Sequence, residues 1–310
     1  MKVLITGAEG FVGGHLISEL VGRGHTVGGT YLFTPGERED ISWYECDLTK
    51  QENIRNIIAR FLPDAVIHLA AISHVPDART DYERAFQTNV TGLVHLLSAV
   101  TEHASDSKVL SISSGEIYGQ IDSNDLPVSE EHPLFPRNIY GLTKECAERI
   151  SVFFSRERSL QITILRPFNQ FGPGQEERFV TASFARQVAR VKRGLDEPVI
   201  RVGNLSVRRD FTDVRDMVAA YAQAIEADLD IGPYNICSER SVSIAHILDT
   251  LISIADIDVE ISVDTTRVRA ADISEMRGDA SLFHTATGWI PRIPLNETLG
   301  DVFAQWIEDI

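Results

Sequence analysis

The sequence is short of cysteine, of positive charge and of long apolar runs, and each shortage excludes a class of protein. Its three cysteines, Cys46, Cys146 and Cys237, are an odd number with no close pairing, which implies reduced thiols in a cytosolic setting. No apolar run is long enough to span a bilayer, so no membrane partner is expected. Met1-Lys2 leads directly into an apolar strand and a glycine turn, so no signal peptide is expected and a cytoplasmic location is. Lys and Arg number 29 against 45 Asp and Glu, a net charge of −16, which sets the chain against a nucleic-acid backbone as partner. An anionic small ligand would need a local arginine cluster working against that overall field. Internal repeats, low-complexity segments and charged tails are also missing. What is present is ordinary for a soluble globular protein, 43% apolar and 24% charged residues. The 310 residues suffice for one large domain or two closely joined ones.

Val3-Leu4-Ile5-Thr6 reads as a buried strand that runs into a turn with glycines at 7, 10 and 13, then a helix to about Arg23 that Gly24 can terminate. Glycines so spaced permit a tight turn, close backbone approach to a pyrophosphate and close helix–strand packing. The helix N-terminus offers its free N–H groups to phosphates. Residues 26–30 form the second strand, and its tip, Thr30-Tyr31-Leu32, carries no acid for a ribose 2′-hydroxyl. That points to NADP(H), whose 2′-phosphate an acid would repel, with NAD(H) as the alternative. No arginine follows immediately, although Arg38 lies further along the loop.

Asp47-Leu48 closes a third strand, and Thr49-Lys50-Gln51-Glu52 reads as a capping box opening the next helix. Asp47 stands either to reach an adenine or to help cap that helix. Residues 65–71 are a continuous apolar strand ending in small residues, as where backbone passes close to a cofactor. Its His68 reads as a packed core histidine. A long helix over 82–103 carries Asn89, and a strand over 109–113 ends beside Ser114. Alternating strands and helices imply a doubly wound parallel sheet, with ligands bound beyond the carboxyl ends of its strands.

Tyr140 and Lys144 are four residues apart, on one face of a helix. An ammonium there is expected to favour the phenolate and lower the tyrosine pKa, so that the phenol exchanges a proton with a sugar or alcohol oxygen near neutral pH. After a strand over 162–165, Arg166-Pro167-Phe168-Asn169 and the turn-rich 172–175 mark a domain crossing. Beyond it come a helix over 179–193, a strand over 199–202 and a helix to about Glu226. Arg209 and Arg269 are the candidates for gripping a nucleotide diphosphate, since arginine suits bidentate phosphate binding. Surface ion pairing to Asp210, Asp213 or Asp272 is the alternative.

Together the glycine turn, His68-Leu69-Ala70-Ala71, Ser114 and Tyr140/Lys144 resemble the extended short-chain dehydrogenase/reductase family. Residues 113–120, 166–175, 179–190, 202–216, 234–238 and Thr287-Gly288-Trp289 are similar to its nucleotide-sugar branch, nearest to the bacterial GDP-4-keto-6-deoxy-D-mannose reductases. The resemblance implies a Rossmann-type α/β fold with a dinucleotide domain over 1–168 plus 212–236. A smaller, discontinuous α/β substrate domain would then cover 169–211 plus 237–310. It implies NADPH-dependent reduction of a GDP-bound 4-keto-6-deoxymannose at C4 to GDP-D-rhamnose, and a homodimer joined through the helices carrying Asn89 and Tyr140. Ser114 and Tyr140 would hold the substrate oxygen while Lys144 orients the nicotinamide ribose. Gly7, Gly10, Phe11, Val12, Gly13, Asp47, Leu48, Leu69, Ala70, Ala71, Asn89 and Pro167 would join Tyr140 and Lys144 around the cofactor. Ser73, Asn169, Val180, Arg209, Arg269 and Asp272 would contact the substrate, and no metal is implied. Glu116 stands where related GDP-mannose 4,6-dehydratases keep a base for the C5 proton, so dehydration, alone or as a second activity, is the alternative. Against it, Phe211-Thr212 replaces the Trp-Gly those enzymes carry. A C4 epimerase ranks third, and a non-catalytic dinucleotide sensor is disfavoured because Ser, Tyr and Lys are all kept.

Overall fold

The apolar run Lys2–Thr6 (β1) lies mid-sheet with four of its five residues buried, as a strand covered on both faces must. A computed structural model describes residues 1–265 and 273–310. From β1 the chain continues through α1 (Phe11–Gly22), β2 (Thr26–Tyr31), β3 (Ser42–Glu45), α2 (Gln51–Phe61), β4 (Ala65–His68), α3 (Val75–Thr80), α4 (Tyr82–Phe86) and α5 (Gly92–His103). There follow β5 (Lys108–Ile112), α6 (Ile139–Arg158), β6 (Gln161–Pro167), β7 (Asn169–Phe171), α7 (Val180–Lys192), β8 (Val199–Val202), β9 (Arg208–Asp213) and α8 (Val214–Glu226). The last elements are β10 (Pro233–Ile236), β11 (Ser241–Ser243), α9 (Ile244–Ala255), β12 (Glu260–Val263), α10 (Ser281–Thr287) and α11 (Leu295–Asp309).

Seven strands form one wholly parallel sheet in the order β3-β2-β1-β4-β5-β6-β10. This is the doubly wound arrangement expected from the alternation of strands and helices. The strand order reverses at β1, which opens a crevice at the carboxyl ends of β1 and β4. After β6 the chain leaves the sheet, then returns twice, with α8 packing on α1 and β10 pairing with β6. The remaining elements build small sheets, β11-β9-β7 and β12-β8. Helices α7, α9 and α11 enclose a separate apolar cluster that includes Phe184, Val188, Ile247, Leu251 and Leu299.

Local chemistry moves some boundaries. The helix expected over 82–103 is interrupted by a π-helical turn, Gln87–Thr91, which carries Asn89. Strand β4 stops at His68, and β3 stops at Glu45, before Asp47. The capping box at Thr49 does not form. Asp47 Oδ1 takes Thr49 N at 3.0 Å and the Thr49 hydroxyl at 2.6 Å, so Lys50 becomes the N-cap, with no side-chain cap bond. At the end of α1, Gly24 adopts φ +81° and its N–H closes on Val21 O, as expected of a glycine terminator.

A buried polar hub ties the β10 return to the sheet. Arg166 on β6 forms a bidentate pair with Glu148 on α6, at 2.9 and 2.7 Å. The same guanidinium donates to Tyr118 OH at 2.9 Å and to Glu130 O at 3.1 Å. Tyr118 in turn donates to Asn235 Oδ1 on β10 at 2.7 Å, and Asn235 Nδ2 reaches Val128 O and Asp279 O. Both ions of the pair are buried, so removing one leaves an uncompensated charge. Glu148→Ala is therefore expected to cost about 3–5 kcal/mol, read as a lowered urea midpoint. A loss below about 1 kcal/mol would show that the hub is not holding α6 to the sheet.

Candidate active site

The carboxyl ends of β1, β2, β4, β5 and β6 open into one cleft of about 2140 Å³. At its floor the glycine turn is sterically required. Gly7 sits at φ +69°, and a Cβ there would lie 2.8 Å from the Ala70 backbone. At Gly13 a Cβ would lie 2.4 Å from Ala8 O. The N-cap of α1 is Gly10; no side chain caps the helix and no acid occupies its first turn. Its leading N–H groups are left for an anion, so the turn fits a pyrophosphate. Ser113 Oγ, also in the cleft wall, is buried with no hydrogen-bond partner among the described residues.

Opposite the turn stand Ser114, past the end of β5, and the first turns of α6. Helix α6 starts where Asn138 Oδ1 accepts from Gly141 N at 2.8 Å, while Asn138 Nδ2 donates to Glu116 Oε2 at 2.8 Å. Gly141 permits this approach, since a Cβ there would lie 2.9 Å from Glu116 O. Tyr140, Lys144 and Glu148 follow one another down a single stripe of α6. Lys144 Nζ donates to Ile112 O at 2.7 Å and lies 5.9 Å from the Tyr140 ring centroid.

The expectation that this ammonium acidifies the phenol is corrected here. Burial dominates and pushes Tyr140 up to about 12, against the Ser114 hydroxyl, which lowers it, and with the Glu116 charge, which raises it further. Burial likewise brings Lys144 down to about 8, against the attraction of Glu148. His68 is a core histidine, bonded to Thr6 Oγ1 at 2.8 Å, and burial, helped by Lys144, lowers it to about 3.

Every candidate named from the sequence and lying among the described residues lines this cleft, except Asn89. Asn89 is buried beneath it: its Oδ1 accepts from Ile72 N at 2.8 Å and its Nδ2 donates to Ile72 O and Thr143 Oγ1. It clips the segment after β4 to α6 and supports the site from behind instead of facing a ligand. Arg269 and Asp272 lie outside the described residues. Arg209 Nη1 donates to Arg208 O and Ile273 O, while Asp210 and Asp213 are taken up by Ser238 and Arg215. Arg38 is held by Asp40 and by Ser18 Oγ, away from the cleft wall.

Three features were not among the expectations from the sequence. The β2 tip is not free of acid, because Glu9 of the glycine turn hydrogen-bonds Leu32 N there at 3.0 Å. A clasp joins the two sides of the cleft mouth: Arg178 pairs with Asp77 at 2.6 Å, and Phe179 packs edge-on against His74. Asn138 joins the α6 cap to Glu116; a cap rule applied two residues before Tyr140 would have found it.

A protein-family model described as GDP-mannose 4,6 dehydratase matches residues 4–302. The chain is 35% identical over 305 residues to the GDP-6-deoxy-D-mannose reductase of Pseudomonas aeruginosa, covering 98% of this chain and 97% of that protein. Among solved structures it is similar to RMD from Pseudomonas aeruginosa complexed with NADPH, with TM-score 0.89 and 35% identity over 100% of this chain and 99% of the other. It also superposes on the Thermus thermophilus UDP-glucose 4-epimerase in complex with NAD, with TM-score 0.88 and 25% identity over 99% of each chain.

The lowered lysine makes a testable signature. Below about pH 8 Lys144 is charged in both folded and unfolded chains, and the burial penalty is fully present. Between about pH 8 and the ordinary lysine range near 10.4, the unfolded chain holds the extra proton, so folding stability rises with pH. Urea titrations from pH 7 to 10 should show the wild type gaining stability relative to Lys144→Met. Parallel curves would refute the lowered value.

Proposed function

This chain belongs to the GDP-mannose 4,6 dehydratase family, and from that premise we propose that it reduces the C4 ketone of GDP-4-keto-6-deoxy-D-mannose to GDP-D-rhamnose with NADPH. The observation that carries the reading is the convergence in one cleft of an uncapped α1 N-terminus with Ser114, Tyr140 and Lys144. The similarity to the Pseudomonas reductase and to the NADPH-bound RMD structure supports the same choice. A bound NADPH would supply hydride to C4. Tyr140, protonated at neutral pH and raised further by burial, gives its proton to O4 as negative charge gathers there. The Ser114 hydroxyl donates to the same oxygen, and both donors act where the transition state is most charged. Lys144, fixed on the Ile112 carbonyl, orients the nicotinamide ribose. Arg209, with Arg269, takes the diphosphate, and the substrate rests on the unit formed by 169–211 and 237–310.

The second reading, dehydration of GDP-mannose, rests on Glu116, whose side chain lines the cleft two residues beyond Ser114. One of its carboxylate oxygens accepts from the Asn138 amide at 2.8 Å. The working unit is a homodimer paired through α4, α5 and α6. Exposed Leu142 and Phe153 support this: eleven residues apart, they share one stripe of α6, with exposed Tyr82 on α4. The three free cysteines fit a reducing cytoplasm.

With the 4-keto-6-deoxy sugar and NADPH, the purified protein should yield GDP-D-rhamnose with one NADPH oxidised per product. Consumption of GDP-mannose without net NADPH oxidation would favour the dehydratase instead. Tyr140→Phe should lower kcat about 10²- to 10⁴-fold with the fold intact by circular dichroism. Phe153→Glu should move the protein from dimer to monomer mass in light scattering after gel filtration. An unchanged mass would place the interface elsewhere.

A further inference from the structure

One end of the cleft is walled by the glycine turn, the tip of β2 and the segment after β3. The turn is clipped to β2 there, with Ala8 N on Thr30 O at 2.9 Å and Gly7 N on Thr30 Oγ1 at 3.1 Å. Glu9 extends the clip one step further, its Oε1 accepting from Leu32 N at 3.0 Å. This places a carboxylate at the β2 tip, the position that meets the adenosine ribose 2′-oxygen in a sheet of this strand order. Asp47 walls the same end. Burial, with the charges of Asp47 and Glu9, pushes the neighbouring Cys46 thiol up to about 12. Of the nearby cations, Arg38 is engaged with Asp40 and Ser18, and Lys50 pairs with Asp47 at 3.4 Å. Among the described residues, the arginines and the lysine of the cleft wall all stand on segments after β4.

Resting on the reading above that the cleft holds a nicotinamide dinucleotide, we infer that Glu9 is the residue that discriminates at the ribose 2′ position, accepting a hydrogen bond from a 2′-hydroxyl and repelling a 2′-phosphate. Oε1 is spent on Leu32 N, which leaves Oε2 as the acceptor. NADPH is bound against this charge, and the cleft admits NADH alongside it. The acid reaches this place from the turn, 23 residues before the Leu32 at the tip where sequence patterns look for it, because the β1 turn and the β2 tip are neighbours only in the sheet.

Nicotinamide fluorescence titrations of NADH and NADPH, without sugar, test the role by affinity alone. Glu9→Gln keeps an acceptor for Leu32 N and removes the charge. It should shift the ratio of the two Kd values about tenfold toward NADPH, the size of one close charge pair at a wet surface. Glu9→Ala should shift it the same way and also weaken NADH. A ratio unchanged in both variants, with wild-type binding intact, overturns the role of Glu9 and leaves the functional reading standing. Failure of the wild type to bind either coenzyme overturns both.

Discussion

The Arg166–Glu148 pair is the constraint on which the site depends. Glu148 lies two turns below Tyr140 on α6 and one turn below Lys144, so fixing its carboxylate to β6 fixes the rotation of the whole functional stripe. Through Tyr118 and Asn235 the same guanidinium also fixes β10, the strand by which the chain returns from its excursion. A buried ion pair adds little net stability compared with apolar packing, but it admits one geometry. The hub therefore acts as a register pin for a helix whose chemistry tolerates little displacement.

Burial sets the electrostatics of the cleft. It raises Tyr140 further above neutrality, brings Lys144 down to about 8 and keeps His68 uncharged, in each case by disfavouring the charged form. The ammonium donates to the Ile112 carbonyl and lies 5.9 Å from the centroid of the Tyr140 ring. A site of this kind has its proton donor loaded beforehand, which suits a reaction that must deliver one. The neighbouring carboxylate, Glu116, is likewise committed, to the amide that caps α6.

Much of this was legible in the chain. The glycine turn, the strand ends at Ala70 and Ser114, and the Tyr–Lys spacing are local patterns whose physics is complete within a few residues. They located the floor of the cleft and its Ser114, Tyr140 and Lys144, while much of its wall, such as His74, Arg178 and Ile273, lay outside those patterns. Asn89, expected beside the cofactor, sits on a π-helical turn with its amide bonded to Ile72 and Thr143, which no local pattern signals. The capping box at Thr49 failed because Asp47 competes for the same donors over a shorter loop.

The sequence by itself determined which residues are candidates: hydrophobic period, turn glycines and helical spacing are set by covalent neighbours and the geometry of single elements. Only the tertiary structure decided their charge states and their company. Burial depends on what packs above a group, and partners such as Glu9 with Leu32, Asp77 with Arg178, or Arg166 with Tyr118 are separated by 23 to 101 residues. Such pairs have no signature in local pattern, because the sheet order that makes them neighbours is a property of the folded whole.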